Sequence, residues 1–327
     1  MGRGMMRWVL AGLLAGSANS ALAASADHVA TITRFYGRVK ILINPSPEVK
    51  GPGPHVLFEE LYYQVVKPKR GMKLQAQNVV QTGPRSRLRL IYENGDQISV
   101  DGDTFYRIQL KGEGSGKVQT NMKLFFGAVR ATVQKGGPRE DLKVRTRTMN
   151  MGVRGTDFFV RSGGGGATTV TVLRGRVAVR PAKAPPSARA VEVPSGFSTS
   201  LAGARPEGEP AAPLQVRKTS KAALIAVQQS SQVKAAPAEG VADAATRDRI
   251  ATLEKAAVQA TLKDIRREDP ALYQKLTKDG PPADVDAIQT ATVRKAWKAA
   301  PKSPKVKKPG ADDLDLDDDE VYDRYFK

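Results

Sequence analysis

Arg154, Thr156 and Asp157 stand in the stretch MNMGVRGTDFFV, Met149 to Val160, together with Gly152, Gly155 and a run of apolar residues. Arginine offers a planar fork of donors suited to carboxylate or phosphate, and Asp157 could orient that fork or accept from a ligand hydroxyl. The three side chains are therefore a candidate partner-binding group. The same residues have a simpler structural reading. Gly152 and Gly155 admit backbone angles or close approaches that larger residues resist, while Thr156 and Asp157 can bond local amides and fix a bend. Phe158 and Val160 then place one face in a core, and Asp157 becomes a latch for the chain instead of a catalyst.

Other chemical templates fail on spacing. GEGSGKV, Gly112 to Val118, has its first glycine one residue too near Gly116-Lys117 for a phosphate loop, and Val118 replaces the hydroxyl residue that would hold magnesium. DLDLDDD from Asp313 begins like a calcium loop, but Asp318 replaces the turn glycine and Arg324 replaces the bidentate glutamate. Ser231 and Lys234 in SSQVK have acylase spacing without the later partners. His28 and His55, the only two histidines, stand in no triad or zinc spacing. These patterns predict no catalytic residue, no metal site and no cofactor.

Charge points instead to binding. The chain carries a net charge of +19, and its acidic end from Asp312 to Lys327 leaves a body near +25. Arg294, Lys295, Lys298 and Lys302, followed by Lys305, Lys307 and Lys308 and with Trp297 among them, could contact an anionic polymer or lipid surface. Their plainer reading is a solvated helix end. The acidic tail could fold back and compete for the same lysines.

The elements that must position these residues begin after a transport signal. Arg3 and Arg7, an apolar core from Trp8 to Ala15 and Ala21-Leu22-Ala23 form a leader, residues 1–23, that places the mature chain in a periplasm or outside the cell. Its apolar run of about ten residues is short of the ~20 needed to span a bilayer as a helix, and no later stretch reaches that length. The chain has no cysteine, which excludes disulfides and lipid attachment through cysteine. Export also removes the chain from the usual nucleic-acid targets.

From His28 onward apolar residues alternate. Val39, Ile41 and Ile43 share one face; Leu88, Leu90 and Tyr92 share another, and Asn94-Gly95 supplies a tight hairpin turn before Ile98 and Val100. About ten short strands predict a mainly β fold: a β-roll, barrel or sandwich over residues 28–195. Asn44 to Val56, rich in proline and glycine, reads as a surface loop. Composition then shifts to alanine, proline and charge, giving a linker at 196–220 and a mostly α-helical extension at 221–299. Asp243 caps a helix carrying Ile250, Leu253, Ala257 and Ile265 on one face, and a second helix runs from Asp284 to Trp297. Residues 300–327 read as a basic then acidic disordered tail.

The segments KRGMKLQAQNVVQTGPRSRLRLIYENGDQISVDGDTFYRI, MNMGVRGTDFFV and TTVTVLRGRVAVR, in that order, resemble the FecR domain over about Lys69 to Val193, with TRFYGRVKI as its beginning. The resemblance implies an all-β periplasmic domain. The best understood members of that family are inner-membrane regulators that sense a loaded outer-membrane receptor and control an extracytoplasmic sigma factor through a cytoplasmic segment. Here the FecR-like part follows directly on an export signal. The resemblance therefore implies a non-enzymatic exported protein that binds an envelope protein or glycan as scaffold or sensor. Two alternatives stand beside it: a signalling component acting with a separate membrane anti-sigma partner, and a charge-driven polyanion binder. Oligomeric state is left open by the sequence.

Overall fold

The structure is a computed structural model that describes residues 28–112, 118–135, 142–185, 187–203, 213–233 and 243–301. In chain order the strands are β1 (His28–Tyr36), β2 (Val39–Ser46), β3 (His55–Phe58), β4 (Leu61–Val66), β5 (Lys73–Gln75), β6 (Val79–Thr82), β7 (Arg87–Tyr92), β8 (Gln97–Val100) and β9 (Thr104–Gly112). They continue as β10 (Val118–Thr132), β11 (Leu142–Arg145), β12 (Met149–Val153), β13 (Asp157–Ser162), β14 (Thr168–Arg174), β15 (Arg176–Pro181), β16 (Val191–Pro194), β17 (Phe197–Leu201) and β18 (Gln215–Lys218). Among the described residues four helices follow: α1 (Lys221–Ser231), α2 (Ala244–Glu268), α3 (Pro270–Thr277) and α4 (Val285–Ala299).

The strands form two layers joined by one long strand. One layer runs β5-β1-β7-β8-β10-β13-β14-β17-β18, and the other β3-β4-β2-β6-β9-β10-β11-β12-β15-β16. The first half of β10 pairs with β9 and β11, and its second half with β8 and β13. It changes layer at Gly127, whose φ is 97° and where a Cβ would lie 2.4 Å from the Thr104 Cα. Only glycine fits that crossing. Among the described residues all strand pairings are antiparallel except β10 with β11.

Alternation along the strands explains the core. Leu88, Leu90, Ile98, Val129, Phe158 and Val172 from one layer meet Ile41, Ile108, Met122, Val144, Val153 and Val179 from the other in one buried cluster. The Asn94-Gly95 turn sets the β7–β8 register, with Leu88 opposite Val100 and Leu90 opposite Ile98. The mainly β reading therefore holds, with strand outweighing helix.

Two boundaries differ from those expected. Residues 196–220 are not simply a linker: β17 pairs with β14 and β18 with β17, because Phe197 and Leu201 pack against the core. The Asn44–Val56 stretch is not wholly loop, since β2 runs on through Pro45 to Ser46 with a shifted register and β3 begins at His55.

The helices form a third layer on the outer face of the β7–β14 side. Asp243, Asp269 and Asp284 cap α2, α3 and α4 by accepting from the amides of Thr246, Leu272 and Ala287. Val258, Leu262, Ile265, Leu272, Val285 and Ile288 give α2, α3 and α4 a small core of their own. Leu224, Val227, Val293 and Trp297 then pack on Ala128, Phe159 and Leu173 of the sheet. No helix among the described residues is long and apolar enough to cross a membrane.

Candidate anion-binding cleft

The corner between β12 and β13 is built from both readings of its sequence, divided residue by residue. Gly155 has φ of 60°, and a Cβ there would lie 2.9 Å from Cβ of Lys135. Gly175 has φ of 80°, and its Cβ would meet the Gly155 carbonyl oxygen at 2.7 Å, so two glycine turns pack face to face. The Thr156 hydroxyl, buried, donates to the Arg176 carbonyl at 2.8 Å and to the Arg154 carbonyl at 3.0 Å, tying the corner to β15. Gly152 departs from its expected role as a turn residue. It lies within β12 without a positive φ, and among the described residues other than its chain neighbours no heavy atom lies within 4 Å of where its Cβ would be.

Arg154 and Asp157 are not partners. Arg154 is exposed, whereas Asp157 points under the helices and accepts from Arg130 Nε at 2.9 Å and Nη2 at 2.8 Å. The Thr292 hydroxyl of α4 donates to the same carboxylate at 2.9 Å. Alternation puts Asp157 on the outer face of its strand, next to Phe158 on the inner face, and the pairing Ala131 with Phe158 brings Arg130 alongside. The expected pair fails because one bend separates the side chains onto different surfaces.

The Arg130 site belongs to a buried polar layer. Arg89 donates to Asp286 at 2.6 Å and to Ser99 at 3.0 Å. Arg34 holds Glu254 through two bonds, of 2.8 and 2.9 Å, and reaches Asp284 at 3.2 Å. These contacts, led by the bond to Glu254, overcome burial and raise the already high pKa of the Arg34 guanidinium. Gln97 and Gln134 both donate to Thr261. None of these contacts is legible in a sequence, since outward arginines on strands read as solvated.

Beside the corner, facing the junction of α2 and α3, is a cleft of about 450 Å³. Lys135, Arg154, Arg174, Arg176 and Lys295 line it, against the acids Glu268 and Asp269. Arg174 Nη1 is 2.6 Å from Glu268, Lys135 shares that carboxylate at 3.4 Å, and Lys295 reaches Asp269. Arg174 is only 6% exposed, yet its Nε and Nη2 have no hydrogen-bond partner. Those two nitrogens are buried away from the open cleft; the cations that line it outnumber the acids, and that surplus suits an anionic group.

Of the basic run near the end of α4, Lys295 turns back into this cleft, Arg294 and Lys298 are exposed, and Lys302 lies outside the described residues. Trp297 is not presented with them. It packs inward, with Lys221 Nζ 5.1 Å from its ring. Ser231 is buried and accepts from Arg130, while Lys234, most of GEGSGKV and the acidic tail lie outside the described residues. Among the described residues no three His, Asp or Glu side chains converge as metal ligands would.

A two-layer β fold with a glycine-turned corner defines the class, and one stretch of it matches a known family model. Residues 78–178 match the model of the family described as FecR protein, so the chain carries a FecR domain. The match runs from the start of β6 into β15; it contains Arg130, the corner and Arg174, and excludes all four helices. Two crystal structures of a protein described as a candidate anti-sigma factor from Parabacteroides distasonis ATCC 8503 are also similar. The one at 2.50 Å resolution has 15% identity and a TM-score of 0.34 over 43% of this chain and 59% of that chain. The one at 1.65 Å has 14% identity and a TM-score of 0.36 over 46% of this chain and 63% of that chain. This chain thus spans about three fifths of their length. No curated protein matches.

Proposed function

We propose that this chain is a non-enzymatic, exported FecR-domain protein that binds a protein or glycan of the cell envelope, as scaffold or sensor, at the corner cleft. The observation that carries the reading is the cation surplus of that cleft, where Lys135, Arg154, Arg174, Arg176 and Lys295 stand against Glu268 and Asp269. The leader at residues 1–23 supports a periplasmic or secreted location. Binding is the function such a site serves best, because arginine forks recognise anionic groups without performing bond chemistry on them. Introducing a photo-crosslinking residue at Arg154 in living cells tests the reading. Capture of an envelope component is expected; a catch made only of cytosolic proteins, or none, overturns it.

A second reading is favoured by the FecR match: the protein senses a receptor and passes the message to a separate membrane anti-sigma partner. Genes for a sigma factor and a receptor beside this one, with the crosslink landing on a membrane regulator, would select it. A charge-driven polyanion binder is the third. It requires steep loss of binding with salt and indifference to Arg154→Ala.

A further inference from the structure

The helices cover one sheet; the outer face of the other carries a groove with Gly152 on its floor. Glycine at this mid-strand position answers no demand of backbone or packing among the described residues, since a Cβ would meet none of them within 4 Å beyond its chain neighbours. Its cross-strand neighbours are Lys143 on β11 and Ala178 on β15; one row along, Asn150 lies between Arg145 and Arg180. Two cavities of about 280 and 330 Å³ adjoin over this floor, and Lys143, Gly152 and Ala178 line both. Arg154 and Arg176 line the second, and both also line the corner cleft. One basic track therefore leads from Arg145 and Arg180, past Lys143, to the corner cleft. Among the described residues Glu192 is the only acid lining the groove part of it.

We propose that this track binds an acidic glycan chain, with carboxylates on the rows of cations and sugar rings over the Gly152–Ala178 floor. The proposal rests on the corner cleft being a ligand site and names the ligand's chemistry. Successive rows on one face of a strand recur at about 7 Å, so a linear polymer with an acidic group on each residue can meet several rows at once. An acidic peptide is disfavoured because β11, β12 and β15 are each hydrogen-bonded on both sides, leaving no strand edge for it to extend. Single-stranded nucleic acid is disfavoured because, among the described residues, no aromatic side chain lines either cavity to stack its bases.

Oligomannuronate titrated into the purified chain by calorimetry tests the assignment, with oligoglutamate and oligothymidylate of equal charge as competitors. Oligomannuronate should bind at least tenfold more tightly than either. Gly152→Leu should keep the circular dichroism and melting temperature of the parent while losing at least tenfold in affinity, because leucine fills the floor. Lys143→Ala with Arg145→Ala, two exposed positions, should lose as much. Full affinity in Gly152→Leu with intact melting, equal binding of the three polymers, or no binding of oligomannuronate overturns the glycan track; if Gly152→Leu misfolds, undiminished affinity in the Lys143/Arg145 variant does so. The Arg154 crosslink separates the two claims. An envelope protein captured there alongside a failed titration leaves the cleft standing and removes only the glycan.

Discussion

Arg130 and Asp157 share two hydrogen bonds where neither side chain is more than 2% exposed, and the energetics of such a pair are asymmetric. Forming it gains little over a well-packed apolar pair, but removing one partner strands a buried charge, at a cost of about 3–5 kcal/mol. Asp157→Ala should accordingly lower unfolding free energy by about that amount in a denaturant titration. Arg154→Ala, three residues away and exposed, should change stability by less than about 0.5 kcal/mol while weakening ligand capture. Reversal of that order would mean that the corner is misassigned. The sequence made the glycine-flanked arginine and aspartate conspicuous; it could not show that they face different surfaces. Position 155 was legible because a left-handed backbone demands glycine, and position 152 misled because glycine there serves no turn.

The strands and helices were legible to different depths. Asn94-Gly95 and the alternation on either side of it define β7 and β8, since turn geometry and period-two burial are local properties. Asp243 and Asp284 marked two helix starts for the same reason. Where the helices dock is non-local. Leu224, Val227 and Trp297 are too few to make a core, but Ala128, Phe159 and Leu173 complete one across the interface. Helices and sheet should therefore unfold together. Trp297 is the only tryptophan beyond residues 1–23, so its fluorescence in a chain lacking them reports the interface. Its denaturation midpoint should coincide with the loss of β ellipticity, and a separate earlier transition would show the helices to be an independent unit.

At the scale of the whole molecule, titration and charge give two expectations. Burial, reinforced by neighbouring Tyr92, pushes the Tyr106 hydroxyl well above its usual range. A group whose pKa is raised in the folded state contributes fully below its unfolded value, about 10 for tyrosine, and loses that contribution as pH rises toward the folded value. Stability should thus fall above about pH 10, and Tyr106→Phe should flatten the fall in alkaline melts; an unchanged slope would assign the loss elsewhere. The acidic end opposes the basic body, so deleting residues 312–327 should strengthen binding of an anionic glycan at low salt. The gain should shrink as salt rises. Equal affinities at low salt would reject competition by the tail.

By itself the sequence determined the β body, its hairpins, the helix starts and the FecR resemblance, because each is carried by neighbours in the chain: alternation, turn chemistry, caps and order of motifs. Only the tertiary structure decided that Arg89 and Arg130 are covered, that Asp157 serves the helices, and that Arg154, Arg174 and Arg176 converge on one cleft. Those outcomes depend on which outward strand face receives the helical layer. That choice is made by packing between residues more than a hundred positions apart, such as Arg130 and Thr292, and no local pattern encodes it.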